Sequence, residues 1–403
     1  MIKKQSIETL NHQGYGIVRL NNKVIFVPYA IKGDVVDIEI VNNYKKYALA
    51  NVLDYVIKSK EHKEVICPYY TSCGGCQISH MNYKKQLEFK QDKVKNIFNK
   101  YLDLEISPEI ICDKEFYYRN KVVFHVVDSK IGYYKEGTND LIEIQGCRLL
   151  DKRINEILPL IRKLDLTYVE KIMIRTTTKE MMVVFYGYID KIDILKDKVD
   201  SIIQINIKEK LLHGKNYIKE EINDMKFIIS HDSFFQVNTN VMKKMYDKVL
   251  EYSNVDNTKT VLDLYCGTGT IGLYLSKNAM SVTGIEIIED AIKDANINKE
   301  INNITNTTFI CGDVGRLINN EYKQDILIVD PPRSGLSDRT RKVILDNDYE
   351  TIVYVSCDPM TLARDLKELL TKYELIDITL YDMFPNTYHV ESVVLLHHKK
   401  DEK

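Results

Sequence analysis

The sequence predicts a multidomain protein: an N-terminal OB-like β-barrel, a central α+β domain with a four-cysteine cluster, and a C-terminal Rossmann-like α/β domain. Three observations carry this. Short strand-like runs broken by glycine and Asn-Asn turns fill residues 1–60. Three cysteines crowd into residues 67–76. From about residue 240 onward, apolar strands alternate with helical patterns, and a glycine loop follows the first strand. The expected domains are therefore 1–60, 61–232 and 233–403. A chain of 403 residues has room for them, at roughly 100–200 residues per domain.

In the first region, Gly14–Val18 and Val24–Pro28 read as strands. A third run, Gly33–Ile40, alternates at period two from Val36 on. Strands this short and evenly spaced predict an OB-type barrel, with an RNA-binding scaffold and a purely structural barrel both open. Residues 83–101 predict a helix, because Leu87, Val94, Ile97, Phe98 and Tyr101 recur near helical spacing. Between about 110 and 230, strand-like runs at Lys121–Val127 and Met181–Tyr188 surround a helical stretch at Ile154–Leu164. The last region predicts strands at Val261–Tyr265, Ser281–Ile285, Thr307–Ile310, Ile326–Val329 and Ile352–Val355, then a final β-rich pair. That order predicts a doubly wound parallel sheet.

Composition excludes little. The chain is 44% hydrophobic and 28% charged, with a net charge of −2. That balance leaves a nucleic-acid partner open, because basic surface can be local. No run of about 18 apolar residues predicts a membrane span, and Met1–Ser6 lacks an apolar signal core. A cytoplasmic protein is expected. Eight cysteines in such a chain point to metal binding or catalysis rather than disulfides.

Cys67, Cys73 and Cys76, with Cys147 far downstream, supply four soft ligands. Thiolates select iron–sulfur clusters or zinc. The spacing is not the paired C-x2-C of a zinc ribbon, and a four-cysteine [4Fe–4S] site of structural role fits it. Structural zinc remains open on these residues alone.

The loop Asp263–Gly272 follows a strand and opens a helix, so a ligand can approach its backbone closely. Glu286, at the end of the second strand, can accept hydrogen bonds from ribose hydroxyls. This much fits NAD, FAD or S-adenosylmethionine. Asp330-Pro331-Pro332-Arg333 after the fourth strand favours a methyl donor, because a dehydrogenase has no need of that element. Cys357, in Tyr354-Val355-Ser356-Cys357-Asp358-Pro359, stands where open α/β sheets expose catalytic groups. Glu391 lies downstream as a candidate base. Cys112, Cys266 and Cys311 read as structural.

Taken together, Phe234–Asn238, Asp263–Gly272, Asp330–Arg333, Ser356–Pro359 and Thr387–Glu391 resemble, in order, the motifs of the RNA (uracil-5-)-methyltransferase family. The nearest branch is the RumA-type, iron–sulfur-containing branch that acts on 23S ribosomal RNA. The resemblance spans nearly the whole chain and implies that residues 1–60 form a TRAM domain. It implies Cys357 as nucleophile and Glu391 as proton acceptor. It also implies S-adenosylmethionine contacts at Gln236, Tyr265, Glu286 and Asp330, and cluster ligands at Cys67, Cys73, Cys76 and Cys147. The helix near 83–101 is expected to pack on the catalytic domain.

The residues themselves support that chemistry. Uracil C5 is a weak nucleophile until a thiolate adds to C6 and makes an enolate. A base must then remove the C5 proton. The target base is hidden in stacked RNA, so it has to be flipped out. Tyr117, Tyr118, Phe234 and Phe235 are candidates to stack on exposed bases. Arg119, Asn120, Lys121 and His125 are a candidate phosphate strip. A monomer suffices, and no protein partner is implied. A transfer RNA substrate is disfavoured by the TRAM-like segment and the four cysteines. An oxidoreductase and a non-catalytic RNA-binding protein leave Cys357 and Asp330 without a role.

Overall fold

The structure, a computed structural model, describes residues 1–135, 137–318 and 323–399. It divides into two compact units: Met1–Val94 with Tyr133–Ile142 and Phe384–His389, and Lys95–Gly132 with Glu143–Met383 and Val390–Lys403. Among the described residues, no helix is long and apolar enough to cross a membrane.

The first unit is built on a six-stranded sheet, in the order Ile2–Ser6, Val35–Asn43, Tyr47–Ile57, Lys23–Val27, Gly16–Leu20, Thr9–Leu10. Its inward residues alternate with outward ones. Val18, Ile25, Val27, Val36, Ile38, Ala48 and Ala50 gather in one apolar core, as period-two patterning requires. Asp34, 1% exposed, ties the sheet to the chain beyond its last strand. Its carboxylate accepts from the Ile31 and Ser59 N–H groups at 2.8 Å each, and it pairs with His62 at 2.8 Å.

The cysteine-bearing segment 67–76 comes after the sheet and contains no strand or helix. The helix Tyr83–Leu102 comes next, its start marked by the Asn82 side chain accepting from the Lys85 N–H at 2.9 Å. Within this unit the helix anchors the segment Phe384–His389. The Asn386 N–H donates to Gln86 Oε1 at 2.8 Å, and Lys90 Nζ donates to the Phe384 carbonyl at 3.0 Å. Gln86 and Lys90 are fully buried there.

The second unit holds a sheet that includes Lys121–Val127, Val169–Thr176, Met181–Gly187, Ser201–Ile205 and Glu209–Gly214 in that order. The helix Lys152–Ile161 packs on this sheet.

The same unit contains an eight-stranded sheet. Its parallel part runs Thr307–Cys311, Ser281–Glu286, Thr260–Leu264, Ile326–Val329, Thr351–Ser356. The last two are buried along their whole length, as sheets covered on both faces are. The chain moves outward in one direction from Thr260–Leu264 and then returns to its other side. A topological switch point therefore lies at the carboxyl ends of Thr260–Leu264 and Ile326–Val329, where such sheets bind ligands.

One expectation needs correction. The sheet is mixed rather than parallel throughout. Glu391–His398 runs antiparallel to both Thr351–Ser356 and Tyr373–Tyr381. Tyr373–Tyr381 and Glu391–His398 are joined through residues 382–390, a connection too short for the crossover that parallel neighbours require.

Candidate active site

Three strand ends build the candidate site. Asp330 follows Ile326–Val329, Cys357 follows Thr351–Ser356, and Glu391 begins the antiparallel strand. Ser356 pairs with Ser392 in the ladder. Antiparallel register then sets Cys357 against Glu391, so residues distant in sequence become cross-strand neighbours. Cys357 also precedes the helix Pro359–Leu369. The Asp358 side chain caps that helix, accepting from the Met360 and Thr361 N–H groups at 2.8 and 3.2 Å. Pro359 suits the first helical turn, where no N–H is needed. A cysteine beside a helix N-terminus gains some stabilisation of its thiolate.

The surrounding electrostatics oppose that stabilisation. Glu391 is 4% exposed. Burial, then the nearby Asp330 charge, pushes its carboxyl up to about 8, with Arg333 opposing. Burial pushes Asp330 up to about 7. The Cys357 thiol is pushed up to about 12 by burial, then by Glu391 and Asp330, again against Arg333. Two carboxyls and a thiol in one poorly hydrated place cannot all be anionic. A cation arriving there would favour their charged forms.

The neighbouring cavity is lined by Phe234, Gln236, Tyr265 and Asp330, together with the glycine loop. Gly269 has φ +75°, and a Cβ there would stand 2.5 Å from the Phe309 ring, so no other residue fits this turn. Gly272 lets its N–H donate to Asp263 Oδ2 at 2.9 Å. Glu286 accepts from the N–H groups of Gly267, Ile287 and Ile288 at 3.2, 2.7 and 2.9 Å. These bonds hold its carboxylate at the loop.

Several contributors were not read from the sequence. Asp263 is fully buried, and its Oδ1 has no hydrogen-bond partner among the described residues. Burial, then Asp330, pushes its carboxyl up to about 8. A lone acid inside the apolar run Val261–Leu264 was the available signal. A second contributor is the helix Glu289–Ile301, which presents Asp294 and Asn298 on one face, four residues apart. Asp294 accepts from the Ser230 hydroxyl at 2.9 Å and from the Ser233 hydroxyl. Asn298 accepts from the Ile228 N–H at 2.6 Å and donates to the Thr268 carbonyl at 3.2 Å. From the other side, Arg175 donates to the Ser230 and Ser233 carbonyls at 3.2 and 2.8 Å. The segment leading to Gln236 and the glycine loop are thus braced by one helix.

Other expectations are redistributed. Phe235 and Tyr118 are 5% and 7% exposed and belong to the core, whereas Phe234 is 68% exposed. The Asn120 amide is already engaged. The residue is buried, and its amide donates to the Gln236 carbonyl and Thr239 Oγ1 at 3.1 Å each. Cys266 is buried, but Cys311 is exposed.

Cys67, Cys73 and Cys76 lie in the first unit and Cys147 in the second. Their thiols are half-buried and chemically suited to iron or zinc. Among the described residues, no three His, Cys, Asp or Glu side chains are gathered to hold a metal ion. The expected four-cysteine cluster is therefore not shown by the structure. Cys147 is held by Asn155, whose Oδ1 accepts its N–H at 2.8 Å and whose Nδ2 donates to its carbonyl at 3.0 Å.

Residues 82–312 and 314–399 match the family described as tRNA (uracil-5-)-methyltransferase. The chain belongs to the tRNA/RNA (uracil-5-)-methyltransferase family. Residues 4–60 match the TRAM domain of tRNA (uracil(54)-C(5))-methyltransferase. An uncharacterized RNA methyltransferase of Clostridium tetani is 36% identical over 100% of this chain and 98% of its own length. Another, from Clostridium acetobutylicum, is 35% identical over 97% and 95%. The Pyrococcus abyssi tRNA (uracil-54, C5)-methyltransferase, solved with S-adenosyl-L-homocysteine, is similar in fold. Its TM-score is 0.81 at 30% identity, covering 98% of this chain and 99% of that one.

The protein is thus an S-adenosylmethionine-dependent RNA (uracil-5-)-methyltransferase with an N-terminal TRAM domain. The matches do not separate out the RumA-type ribosomal branch. They also remove one argument against a transfer RNA substrate, since the matching TRAM domain is that of a tRNA enzyme.

Proposed function

We propose that Cys357 and Glu391 carry out the methylation of uridine C5 as a covalent pair. The observation that supports this most strongly is the ladder register setting Cys357 against Glu391, with Asp330 one strand away. The Cys357 thiolate adds to C6 of the flipped uracil, forming the S–C6 bond and an enolate. C5 then takes the methyl group, and the donor leaves as S-adenosylhomocysteine. Glu391 accepts the C5 proton, the C6–S bond breaks, and the thiolate is regenerated. Asp330 positions the base through its polar edge. Gln236, Tyr265, Glu286 and Asp330 hold the donor. Its sulfonium, like Arg333, would relieve the crowding of negative charge at the site.

The RNA we infer is 23S ribosomal RNA, acted on by a monomeric cytoplasmic enzyme; the four cysteines support that choice. A second reading, transfer RNA, is favoured by the similarity to the Pyrococcus abyssi tRNA (uracil-54, C5)-methyltransferase. Tritium release from C5-labelled 23S RNA and transfer RNA, with and without S-adenosylmethionine, decides between them. Donor-dependent release from 23S RNA alone upholds the first reading. Release from transfer RNA alone keeps the chemistry and overturns the substrate.

We further infer that Cys67, Cys73, Cys76 and Cys147 hold a [4Fe–4S] cluster. Iron and acid-labile sulfide measured after anoxic purification test this, and their absence would refute it.

A further inference from the structure

The barrel-like sheet of the first unit carries an aromatic strip that its core does not use. Inward positions are taken by Val18, Ile25, Val27, Ala48 and Ala50. Alternation therefore turns Arg19, Val24, Phe26, Tyr47 and Leu49 outward. Register aligns them in rows: Arg19 pairs with Val24, which pairs with Tyr47, and Phe26 pairs with Leu49. Tyr44 completes the strip from the connection between Val35–Asn43 and Tyr47–Ile57. The Tyr44 and Tyr47 ring centroids are 4.7 Å apart with planes at 31°. The Phe26 and Tyr47 centroids are 5.7 Å apart. Tyr44 and Tyr47 are 46% and 39% exposed.

The segments that carry the strip hold charge of one sign. Residues 16–29 and 40–50 contain Arg19, Lys23, Lys45 and Lys46 and no Asp or Glu. Glu39 and Asp54 lie further along the same strand pair, opposite Asn51 and Asp37. Asn43 accepts from Lys23, which fixes one cation at the edge of the rings. Exposed rings in series, flanked by cations, suit an unstacked polynucleotide. Bases lie on the rings while phosphates follow the cations. A duplex offers no free base faces to such a surface.

We propose that Tyr44, Tyr47 and Phe26, with Lys45 and Lys46, form a base-stacking platform for single-stranded RNA flanking the methylated nucleotide. This deepens the RNA-methylating reading and rests on it. The test nevertheless measures binding without turnover, so each can fail alone. Full-length protein is titrated with a short fluorescent oligouridine strand, and separately with its duplex with oligoadenosine. Tyr44→Ala/Tyr47→Ala should weaken single-strand binding at least about tenfold and leave duplex binding unchanged. Tyr44→Phe/Tyr47→Phe should retain the wild-type affinity, because stacking needs the ring and not the hydroxyl. Lys45→Ala/Lys46→Ala should make the salt dependence of log K shallower by about 1.4. An unchanged circular dichroism spectrum and melting temperature confirm that each variant is folded. Equal loss on strand and duplex, or no loss, overturns the platform. So does a halved mass of the alanine variant in light scattering, which would assign the strip to a second copy of the chain.

Discussion

Cys357 and the cysteines of segment 67–76 are the same side chain in two settings. Cys357 follows a six-residue strand that is wholly buried. It precedes a capped helix and stands one residue beyond the ladder pair Ser356–Ser392, near Glu391. Cys67, Cys73 and Cys76 sit in a segment without strand or helix, shaped by a lone bridge from Cys73 to Lys135 and by local bonds such as the Cys73 N–H to the Tyr69 carbonyl at 2.9 Å. The first setting supplies a rigid strand end, a neighbouring carboxyl and an adjoining cavity, which suit nucleophilic catalysis. The second supplies soft donors on a loop that a metal could organise. Environment, rather than residue type, separates the two roles proposed for them.

The largest effect is expected at Cys357. Cys357→Ala should abolish methyl transfer, while S-adenosylhomocysteine binding measured by calorimetry stays unchanged. Cys73→Ser should leave turnover chemistry in place and act on stability, lowering the melting temperature by a few degrees. If Cys73→Ser abolished transfer in a folded protein, the separation of roles would fail.

Glu391→Gln should slow product release about 10²–10⁴-fold, the usual worth of a positioned base. Tritium release from C5-labelled RNA reads it. Next in size, Asn298→Ala removes the bonds to Ile228 and Thr268. It should weaken S-adenosylhomocysteine binding about tenfold, at roughly 1 kcal/mol or more for lost buried bonds, while leaving RNA affinity unchanged.

The smallest effect concerns pH and stability. The Glu391 carboxyl is raised from 4.5 to about 8 in the fold. The folded state therefore keeps a proton that the unfolded chain releases, and stability falls as pH rises from about 4.5 through about 8. Glu391→Gln cannot ionise. Its melting temperature relative to wild type should therefore be higher at pH 8 than at pH 5, by about 2 °C or more. An equal difference at both pH values would contradict the burial argument.

Much of the catalytic sheet was legible because parallel strands buried on both faces write continuous apolar runs. Ile326–Val329 and Thr351–Ser356 are examples. The site motifs were legible because they sit at the ends of those runs. The direction of the last strand was not, and neither was the register that brings Glu391 to Cys357, since apolar patterning carries no strand direction. The brace by Asp294 and Asn298 was also hidden. Polar residues four apart on a helix look like a solvated face until tertiary contacts bury them. Asn120 misled for the same reason, its partner being the distant Gln236 carbonyl.

The most direct test of the central claim is intact mass measurement of the Glu391→Gln protein after incubation with uridine-containing substrate RNA and S-adenosylmethionine. Covalent catalysis predicts a species equal to protein plus methylated RNA, stable to denaturant and absent when Cys357→Ala is added. Methylated RNA formed by the Cys357→Ala protein, with no adduct on Glu391→Gln, would contradict it.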